Sequence, residues 1–338
     1  MTERLFISGA GVVTWAGCGL PALAEALEGS HPFVSEELGE GLRADVGRVG
    51  RLKDPSCAAH YERWGQLDTY SRYGFSAARG ALHDAGIVEE SAGRAAMGIV
   101  IGTAYGCMEE NQRFDRFAVV DGVVKASPLA FKGTVDNAPA GWIAVGWKLR
   151  GPNATLVSGD GAALEALWTA QGLLEGGRAP ALLVGGVERF VDLHLLLRER
   201  DPQRQGAVLS EGAGMLVVER EDSLASRGRS TDSVRAELLG VERVRGPLDA
   251  ARTEALARFG LDTNDIGFES LATPQGDKAV LGEFHGAWGA VALCAALVRL
   301  DESGGGWSGR PHALVHAFGE HDEHFFVVLK DPSVKEAG

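Results

Sequence analysis

The densest set of titratable side chains in the sequence is EHDEH at 320–324, where two imidazoles and three carboxylates occupy consecutive positions. Imidazole and carboxylate suit zinc, iron or nickel, so this run could contribute to a metal site if the fold brings other ligands to it. Spacing alone is weak support for that interpretation. The alternative is a solvated charged loop, which is the usual role of a mixed-charge run.

The cysteines are the second place to look for chemistry. The four of them, at positions 18, 57, 107 and 294, stand far apart and form no CxxC pair. This pattern predicts neither a disulfide framework nor a zinc ribbon, and it fits a reducing cytoplasm. Cys107 is better interpreted as a packed structural thiol than as a nucleophile. The GAG at 9–11 lacks the third glycine and the acidic partner of a dinucleotide-binding fingerprint.

Composition narrows the class of protein. Of the 338 residues 45% are hydrophobic and 23% charged, a globular composition long enough for one large or two smaller domains. The formal net charge of −13 argues against nucleic acid or anionic lipid as a general partner. No apolar run approaches the roughly 20 residues of a membrane span, and the first residues lack a signal-peptide layout. We therefore predict a cytoplasmic protein without a membrane or nucleic-acid partner.

Short β-branched runs alternate with amphipathic stretches rich in alanine and leucine, which is the pattern of a sheet covered by helices. The predicted strands are 4–9, 97–102, 154–159, 181–186, 214–220, 235–244, 266–271, 312–318 and 325–330. The predicted helices are 19–29, 71–86, 137–149, 161–177, 249–260 and 286–300, the last of them buried. A weak repeat of a glycine-ended strand and a small-residue helix predicts two related αβ halves, 1–200 and 201–338.

Two segments carry a resemblance to a known family: GPNATLVSGDGAALEALWTAQGLLEGGRAPALLVGGVE at 151–188 and VLSEGAGMLVVERE at 208–221. They resemble the β-ketoacyl synthases, the condensing enzymes of fatty-acid and polyketide assembly. Other stretches agree in the same order, among them LFISGAGVVTWAG, GEFHGAWGAVAL and HAFGEHDEHFFVVL. The resemblance implies an α/β, thiolase-like fold of two related αβ halves stacked in layers (αβαβα), which usually works as a dimer.

The family's catalytic cysteine and two histidines are missing at the matched positions. Asp160 stands at the cysteine position, in a match without gaps on either side. Leu271 falls at the first histidine and Glu283 at the second, with His285 two residues off that register. An aspartate cannot carry an acyl thioester in the same way, and a carboxylate at 283 would repel the enolate that the histidines stabilise. Glu320 stands where an aromatic gate is usual.

One class within the family keeps the fold and loses the nucleophile: the chain-length factor, an inactive partner that shapes the acyl tunnel of an active ketosynthase. This chain resembles that class, although chain-length factors commonly carry glutamine where it has Asp160. The resemblance implies a heterodimer with an active ketosynthase, an indirect contact with an acyl carrier protein, and no cofactor. It also implies that Asp160, the helix 161–177 and the stretch 103–140 form interface or tunnel wall.

Other interpretations of the same residues stay open. Asp160 could be only a helix N-cap. If the family geometry holds, Asp160 and Glu283 face one pocket, where two close carboxylates would share a proton. The pocket could also belong to a re-tooled enzyme, with a metal held by Asp160, Glu283, His285, His321 and His324. A stand-alone acyl-binding protein is a third possibility. The pocket or interface candidates are Asp160, Glu283, His285, Glu320, His321 and His324.

Overall fold

The computed structural model describes residues 3–30, 33, 35–37, 48–52, 55–88, 91, 93–125, 131–200, 208–273, 275–303 and 306–334. The strands there are β1 (Leu5–Thr14), β2 (Gly17–Cys18), β3 (Ser35–Glu37), β4 (Arg48–Gly50), β5 (Gly98–Thr103), β6 (Asn153–Val157), β7 (Ala181–Glu188), β8 (Leu209–Ser210), β9 (Gly212–Arg220), β10 (Ala236–Arg245), β11 (Ile266–Ser270), β12 (His312–Phe318) and β13 (Glu323–Lys330). The α-helices there are α1 (Leu20–Leu27), α2 (Thr69–Asp84), α3 (Met108–Arg116), α4 (Ala138–Trp147), α5 (Ala162–Glu175), α6 (Asp192–Glu199), α7 (Glu221–Ser226), α8 (Leu248–Arg258), α9 (Asp277–Leu281) and α10 (Trp288–Ser303).

All the predicted strands and helices are present, and the largest difference lies in β1. This strand continues to Thr14, whereas the glycines at 9 and 11 predicted a turn. The two glycines serve close packing instead, because a Cβ on Gly9 would lie 2.3 Å from the Ala81 carbonyl oxygen of α2. A Cβ on Gly11 would lie 2.2 Å from the Ala77 oxygen. Glycine within a strand often marks such a close backbone approach.

The sheet has ten strands, nine of them in the order β11-β12-β13-β10-β1-β9-β7-β5-β6, with β2 paired to β1 at one end. The pairs β5–β6, β5–β7 and β11–β12 are parallel, and β9 runs antiparallel to both β1 and β7. The link between the two sides of the sheet is short, since β1 pairs with β10 only from Leu5 to Ile7. Strands β3, β4 and β8 form a separate small sheet.

The helices form layers on this sheet. The central helices α5 and α10 contact strands on both sides of the β1–β10 link, so they fill the space between two sheet halves. Helices α2 and α4 cover the outer face of one half, and α8 covers the outer face of the other. The predicted α/β fold with αβαβα layering is therefore confirmed. The buried-helix prediction also holds, since α10 is buried from Trp288 to Val298.

The division into halves at residue 200 stays a prediction, because residues 201–207 lie outside the described ranges. Strand pairing bears on where the division falls. Strand β9 belongs to the predicted second half, yet it lies between β1 and β7, two strands of the predicted first half. We propose on this ground that the first half extends to about Arg220.

The prediction of a chain without disulfides is wrong, because Cys18 and Cys57 are bonded to each other. Cys18 ends the β1–β2 hairpin, and Cys57 lies in a 3-10 turn that packs against α2. The two positions are 39 residues apart in the sequence, and only the fold brings them together. The cytoplasmic prediction rested partly on the cysteine pattern and stays a prediction with less support. No helix in the described ranges is long and apolar enough to span a membrane.

Candidate functional site

The predicted nucleophile position lies in the turn that joins β6 to α5. Gly159, Asp160 and Gly161 form one 3-10 turn that leads directly into the helix. Gly159 has a φ of +71°, which glycine adopts without strain. A Cβ at position 161 would lie 2.7 Å from the Phe318 carbonyl oxygen. The two glycines therefore fix the carboxylate between them at the N-terminal end of α5.

Asp160 is not the N-cap of α5, since that residue is Gly161. The Asp160 carboxylate meets His285, with Oδ1 2.6 Å from Nδ1. At this distance the ring nitrogen carries the proton and donates to the carboxylate. The His285 side chain is buried, whereas 28% of the Asp160 side chain is exposed. The pair therefore runs from solvent into the core.

His285 reaches Asp160 from a strained backbone conformation. Its φ is +43°, in the left-handed region, where non-glycine residues lose about 1–3 kcal/mol. The next residue, Gly286, donates its N–H to the buried Glu188 carboxylate at 3.2 Å. A Cβ at 286 would lie 2.3 Å from the Ala104 nitrogen. Close packing on both sides thus holds the turn that aims the imidazole at Asp160.

Glu283 lies beside this pair and has its own cation. Lys278 Nζ donates to Glu283 Oε1 at 3.0 Å, and both side chains are largely buried. One ligand atom from each of Asp160, Glu283 and His285 lies within 4.8 Å of the other two. The fold thus brings these three candidates together. The two carboxylates lie close together and each also contacts a basic group, and the sharing of a proton between them stays a prediction.

The position of the family's first histidine is apolar in the structure. Leu271 follows β11 directly and is half-buried. The next residue, Ala272, donates its backbone N–H to Nδ1 of His316 at 3.3 Å. An imidazole from β12 therefore stands beside this position, although it enters from a different part of the chain.

His316 and His324 form a closed chain of hydrogen bonds. Because His316 Nδ1 accepts from Ala272, its Nε2 carries the proton and donates to His324 Nδ1 at 3.0 Å. His324 Nε2 then donates to the Gly246 carbonyl oxygen at 2.8 Å. Burial, followed by the nearby His324 and Lys278, lowers the pKa of His316 to about 3. The structure therefore does not bring His324 to Asp160.

The other members of the EHDEH run divide between a turn and a strand. Glu320 and His321 lie in the exposed turn between β12 and β13, where the solvated-loop interpretation describes them well. They line a cavity of about 190 Å³ together with Ser158 and Arg245. Glu323 lies in β13 rather than in the loop, because β10 extends to Arg245 and pairs with it. Among the described residues, the cluster of possible metal ligands at Asp160 does not include His321.

The sequence analysis missed an imidazole on the other side of His285. His194, in the first turn of α6, lies with its ring centroid 4.3 Å from Tyr105 and 5.7 Å from Phe190. Both aromatic rings also contact His285, at 5.3 and 5.5 Å. Burial lowers the pKa of His194 to about 4, and His285 adds to the effect. A lone histidine among leucines, in LHLLL, carries no sequence signal that separates it from a core residue.

Lys278 and Glu188 were also missed. Lys278 stands five residues before Glu283, a spacing that could have suggested the pair. Glu188 accepts backbone N–H groups from Ala104 at 2.8 Å and from Tyr105 at 3.2 Å, besides that of Gly286. Burial raises its pKa to about 8, against the opposing effect of these hydrogen bonds. Glu188 thus joins the turn that carries Tyr105 to the turn beside His285.

The two free cysteines, Cys107 and Cys294, are both buried. Cys107 Sγ lies 3.2 Å from Asp136 Oδ1, and Cys294 Sγ lies 3.8 Å from the Gly11 oxygen. Burial raises the pKa of each thiol to about 12. Since the thiolate is the nucleophilic form, neither cysteine is poised for covalent catalysis. The packed-thiol interpretation of Cys107 is confirmed.

Comparison with known proteins gives one family match and many relatives. A family model described as "Beta-ketoacyl synthase, N-terminal domain" matches residues 50–223, more than half of the chain. The curated protein 3-oxoacyl-[acyl-carrier-protein] synthase 2 of Vibrio harveyi is 28% identical over 262 residues. That match covers 70% of this chain and 62% of the relative, so it spans less than two thirds of the relative's length.

Solved structures of similar proteins share the fold over almost the whole chain. The ishigamide ketosynthase/chain length factor gives a TM-score of 0.80 at 23% identity, covering 97% of this chain and 99% of that chain. A type II polyketide synthase acyl-carrier protein in complex with its ketosynthase, AntDE:AntF, gives 0.78 at 17% identity, with 98% and 99% covered. At these identities the likeness establishes the thiolase-like fold.

Proposed function

The chain belongs to the β-ketoacyl synthase family, and we propose that it acts there as a catalytically silent subunit of the chain-length-factor type. In this role it pairs with an active β-ketoacyl-ACP synthase in polyketide, polyene or fatty-acid biosynthesis and shapes the acyl tunnel of the pair. One observation carries the proposal: at the turn where the family has its cysteine, this chain has Asp160, whose carboxylate is hydrogen-bonded to His285.

The surroundings of Asp160 support the lack of condensing chemistry. A condensing site needs a thiolate at this turn and imidazoles that stabilise the enolate of a decarboxylated malonyl unit. Here the chain offers two acid–base pairs, Asp160 with His285 and Glu283 with Lys278. The thiols that could substitute for the missing nucleophile are buried, with pKa values of about 12.

Exposed apolar residues of the kind found at association surfaces support the proposed pairing. Strand β6 ends the order of the large sheet, and its last residue, Val157, is 53% exposed. Four further valines after α3 are exposed to 72% or more: Val119, Val120, Val123 and Val124. Edge strands and clustered exposed apolar residues both mark association surfaces. They fall in or next to the stretch 103–140 that the family resemblance assigns to the interface.

Charge supports an indirect relation to the carrier protein. The similar structure AntDE:AntF holds an acyl-carrier protein together with its ketosynthase, and the ishigamide protein is a ketosynthase/chain length factor. Carrier proteins are acidic, and this chain has a formal net charge of −13, so the two repel each other at long range. A more basic ketosynthase partner would then supply the docking surface for the carrier.

The silence of the site can be tested by covalent labelling. The native chain is incubated with an acyl-N-acetylcysteamine thioester, and its intact mass is measured before and after. We expect no acyl adduct, because Asp160 is not a thiol and Cys107 and Cys294 are buried. An adduct that a digest places on residue 160 would overturn the proposal.

Pairing is tested by co-expression with an intact ketosynthase encoded beside this chain. We expect a stoichiometric heterodimer by native mass spectrometry, weakened at least tenfold by Val157→Asp or Val124→Asp. The matched control is Val88→Asp, at a valine that is 44% exposed elsewhere on the molecule. A stable homodimer that ignores the ketosynthase would count against the proposal.

A second candidate is a re-tooled enzyme that holds a metal in the same place. It is favoured by the ligand atoms of Asp160, Glu283 and His285, which lie within 4.8 Å of one another. The ammonium of Lys278 at Glu283 opposes it, because it offsets part of the negative charge that would attract a cation. Stoichiometric zinc or iron in the untagged protein, lost on Asp160→Ala, would favour this candidate over the silent subunit.

A further inference from the structure

The aromatic cluster beside the Asp160–His285 pair contains a buried hydrogen-bond donor with no partner among the described residues. His194 is 5% exposed, and its Nδ1 accepts the backbone N–H of Val191 at 3.0 Å. In the neutral imidazole the proton is therefore on Nε2. That Nε2 is buried, and no group in the described part of the chain accepts a hydrogen bond from it. Buried donors are nearly always satisfied, so an acceptor that is not among the described residues is expected here.

The position of this donor relates it to the candidate site. The bond to Val191 holds one ring nitrogen at the start of α6, and the other nitrogen points away from it because the two N–H directions of an imidazole diverge. Tyr105 and Phe190 pack against His194 and also against His285. His285 in turn contacts Asp160, whose side chain reaches solvent. The donor thus belongs to one cluster with the degenerate nucleophile position.

The chemistry around the donor selects a ligand class. Aromatic walls favour an apolar chain, and the Asp160 carboxylate repels an anion. An N–H donor also repels an ammonium group. The remaining acceptor is an uncharged oxygen on an apolar chain. We propose that His194 Nε2–H binds a carbonyl oxygen of an acyl or polyketide chain, an inference that rests on the proposed tunnel function.

This role would make His194 a specificity-determining residue. A chain that carries a keto group at the right depth would satisfy the donor, whereas a saturated chain would leave it buried and unsatisfied. A site built around a hydrogen bond rejects analogues that lack the bonding group much more strongly than it rejects a change of size. The subunit would then distinguish chains by their oxidation state as well as by their length.

The test uses two probes that differ only in the chain carbonyls. S-(3-oxohexanoyl)-N-acetylcysteamine carries a thioester and a ketone, and S-hexyl-N-acetylcysteamine carries neither. The whole chain is labelled with ¹⁵N-histidine and titrated with each probe. We expect the keto probe to bind about tenfold more tightly and to shift the His194 Nε2 resonance. Equal affinities, or a resonance unmoved by either probe because a bound water satisfies the donor, would overturn the proposal.

Variants separate the donor from the shape of the cluster. His194→Phe keeps a ring and removes the donor, so it should bind both probes equally, at the affinity that the wild type has for the thioether. His194→Leu also removes the donor, together with the acceptor of the Val191 N–H, and gives the same readout if the phenylalanine variant does not fold. The matched control is His83→Phe, at an exposed histidine on α2. Discrimination retained in both His194 variants would contradict the assignment.

Failure here is distinguishable from failure of the proposed function. Native mass spectrometry should show the same fraction of heterodimer for the wild type and His194→Phe, since His194 lies inside the subunit. A heterodimer that binds both probes equally would overturn the proposed binding of a carbonyl oxygen by His194 and would leave the proposed subunit role intact. A protein that prefers the keto probe but forms no heterodimer would overturn the proposed pairing and would leave the proposed role of His194 intact.

Discussion

The described residues include two groups of buried histidines, His316 with His324 and His194 with His285, which differ in how their ring nitrogens are used. In the pair His316–His324 each ring nitrogen has a partner, so the chain of hydrogen bonds is closed. In the cluster of His194 and His285, Nε2 of His194 has no acceptor among the described residues, and the backbone of His285 has a φ of +43°. The first pair therefore stabilises the fold. The second retains an unsatisfied donor and a strained backbone, neither of which the fold requires.

The contrast extends to the surroundings of the two pairs. His316 and His324 lie on adjacent strands, β12 and β13, where the sheet register already places them side by side. His194 and His285 come from separate segments: the first turn of α6, where His194 accepts the Val191 N–H, and a turn held by Glu188 through the Gly286 N–H. Strain and unsatisfied groups of this kind concentrate at functional sites. The difference therefore indicates where a ligand belongs.

The largest expected effect is on stability, in the closed pair. His316→Leu removes the acceptor of the Ala272 N–H and the donor to His324 Nδ1, leaving both groups buried. We expect the free energy of unfolding to fall by about 3 kcal/mol, measured as a lower midpoint in urea. His194→Leu should cost about 1–2 kcal/mol, less than His316→Leu, because it leaves only the Val191 N–H without its acceptor. Equal losses would remove the distinction between the pairs.

Acid should destabilise the protein through both pairs. The pKa of His316 is lowered to about 3 and that of His194 to about 4, each below the value near 6.5 of an unfolded chain. Below pH 6.5 the unfolded chain takes up protons that the folded chain refuses, so stability is full above this pH and falls as pH decreases. Each residue contributes up to about 1.4 kcal/mol per pH unit.

This effect is measured by urea unfolding at pH 7, 6 and 5. His194→Leu should lower the slope of the unfolding free energy against pH by up to about 1.4 kcal/mol per pH unit. The control is His321→Leu, at an exposed histidine, which should leave this slope unchanged. A slope identical in His194→Leu and wild type would show that His194 is not held neutral by burial.

A smaller effect is expected at the Asp160–His285 contact. Asp160→Asn replaces a hydrogen bond to a carboxylate by one to a neutral amide oxygen, and Asp160 is partly solvated. We expect a loss of about 1 kcal/mol in the free energy of unfolding. A loss above about 3 kcal/mol would show that this contact is as structural as the closed pair.

No gain is expected from restoring the nucleophile alone. Asp160→Cys creates a thiol at the family position, but Leu271 and Glu283 still replace the two imidazoles. Condensation of an acyl thioester with a malonyl thioester, followed by product mass, should stay at background. Turnover in this single variant would show that other imidazoles, such as His285 or His194, take the missing roles.

Local pattern was a reliable guide to the elements. Strand and helix positions follow from alternating and 3.6-residue periodicity, and the glycine turn around Asp160 follows from residues that are neighbours in the chain. The largest misjudged boundary, at β1, came from glycines whose purpose is the approach of α2. Their effect depends on a helix about seventy residues away, and no local spacing records it.

The candidate site was only partly accessible in this way. Asp160, Glu283 and His285 were named from the family resemblance, and the fold brings them together. His321 and His324 were named from the density of charge in EHDEH, but His321 lies in an exposed turn and His324, in β13, is hydrogen-bonded to His316 and Gly246. Lys278 and His194 were not named at all, because a lysine in a short helix and a histidine among leucines look like ordinary residues.

The sequence by itself determined that this is an α/β chain of the condensing-enzyme type with an aspartate in place of the cysteine, since residue identity at a gapless turn is a local property. Only the tertiary structure decided what that aspartate touches. Its partner, His285, is 125 positions away, the Cys18–Cys57 bond spans 39, and the tautomer of His194 depends on a backbone N–H. Contacts of this kind arise from packing, which satisfies hydrogen bonds between segments that chain order leaves unrelated.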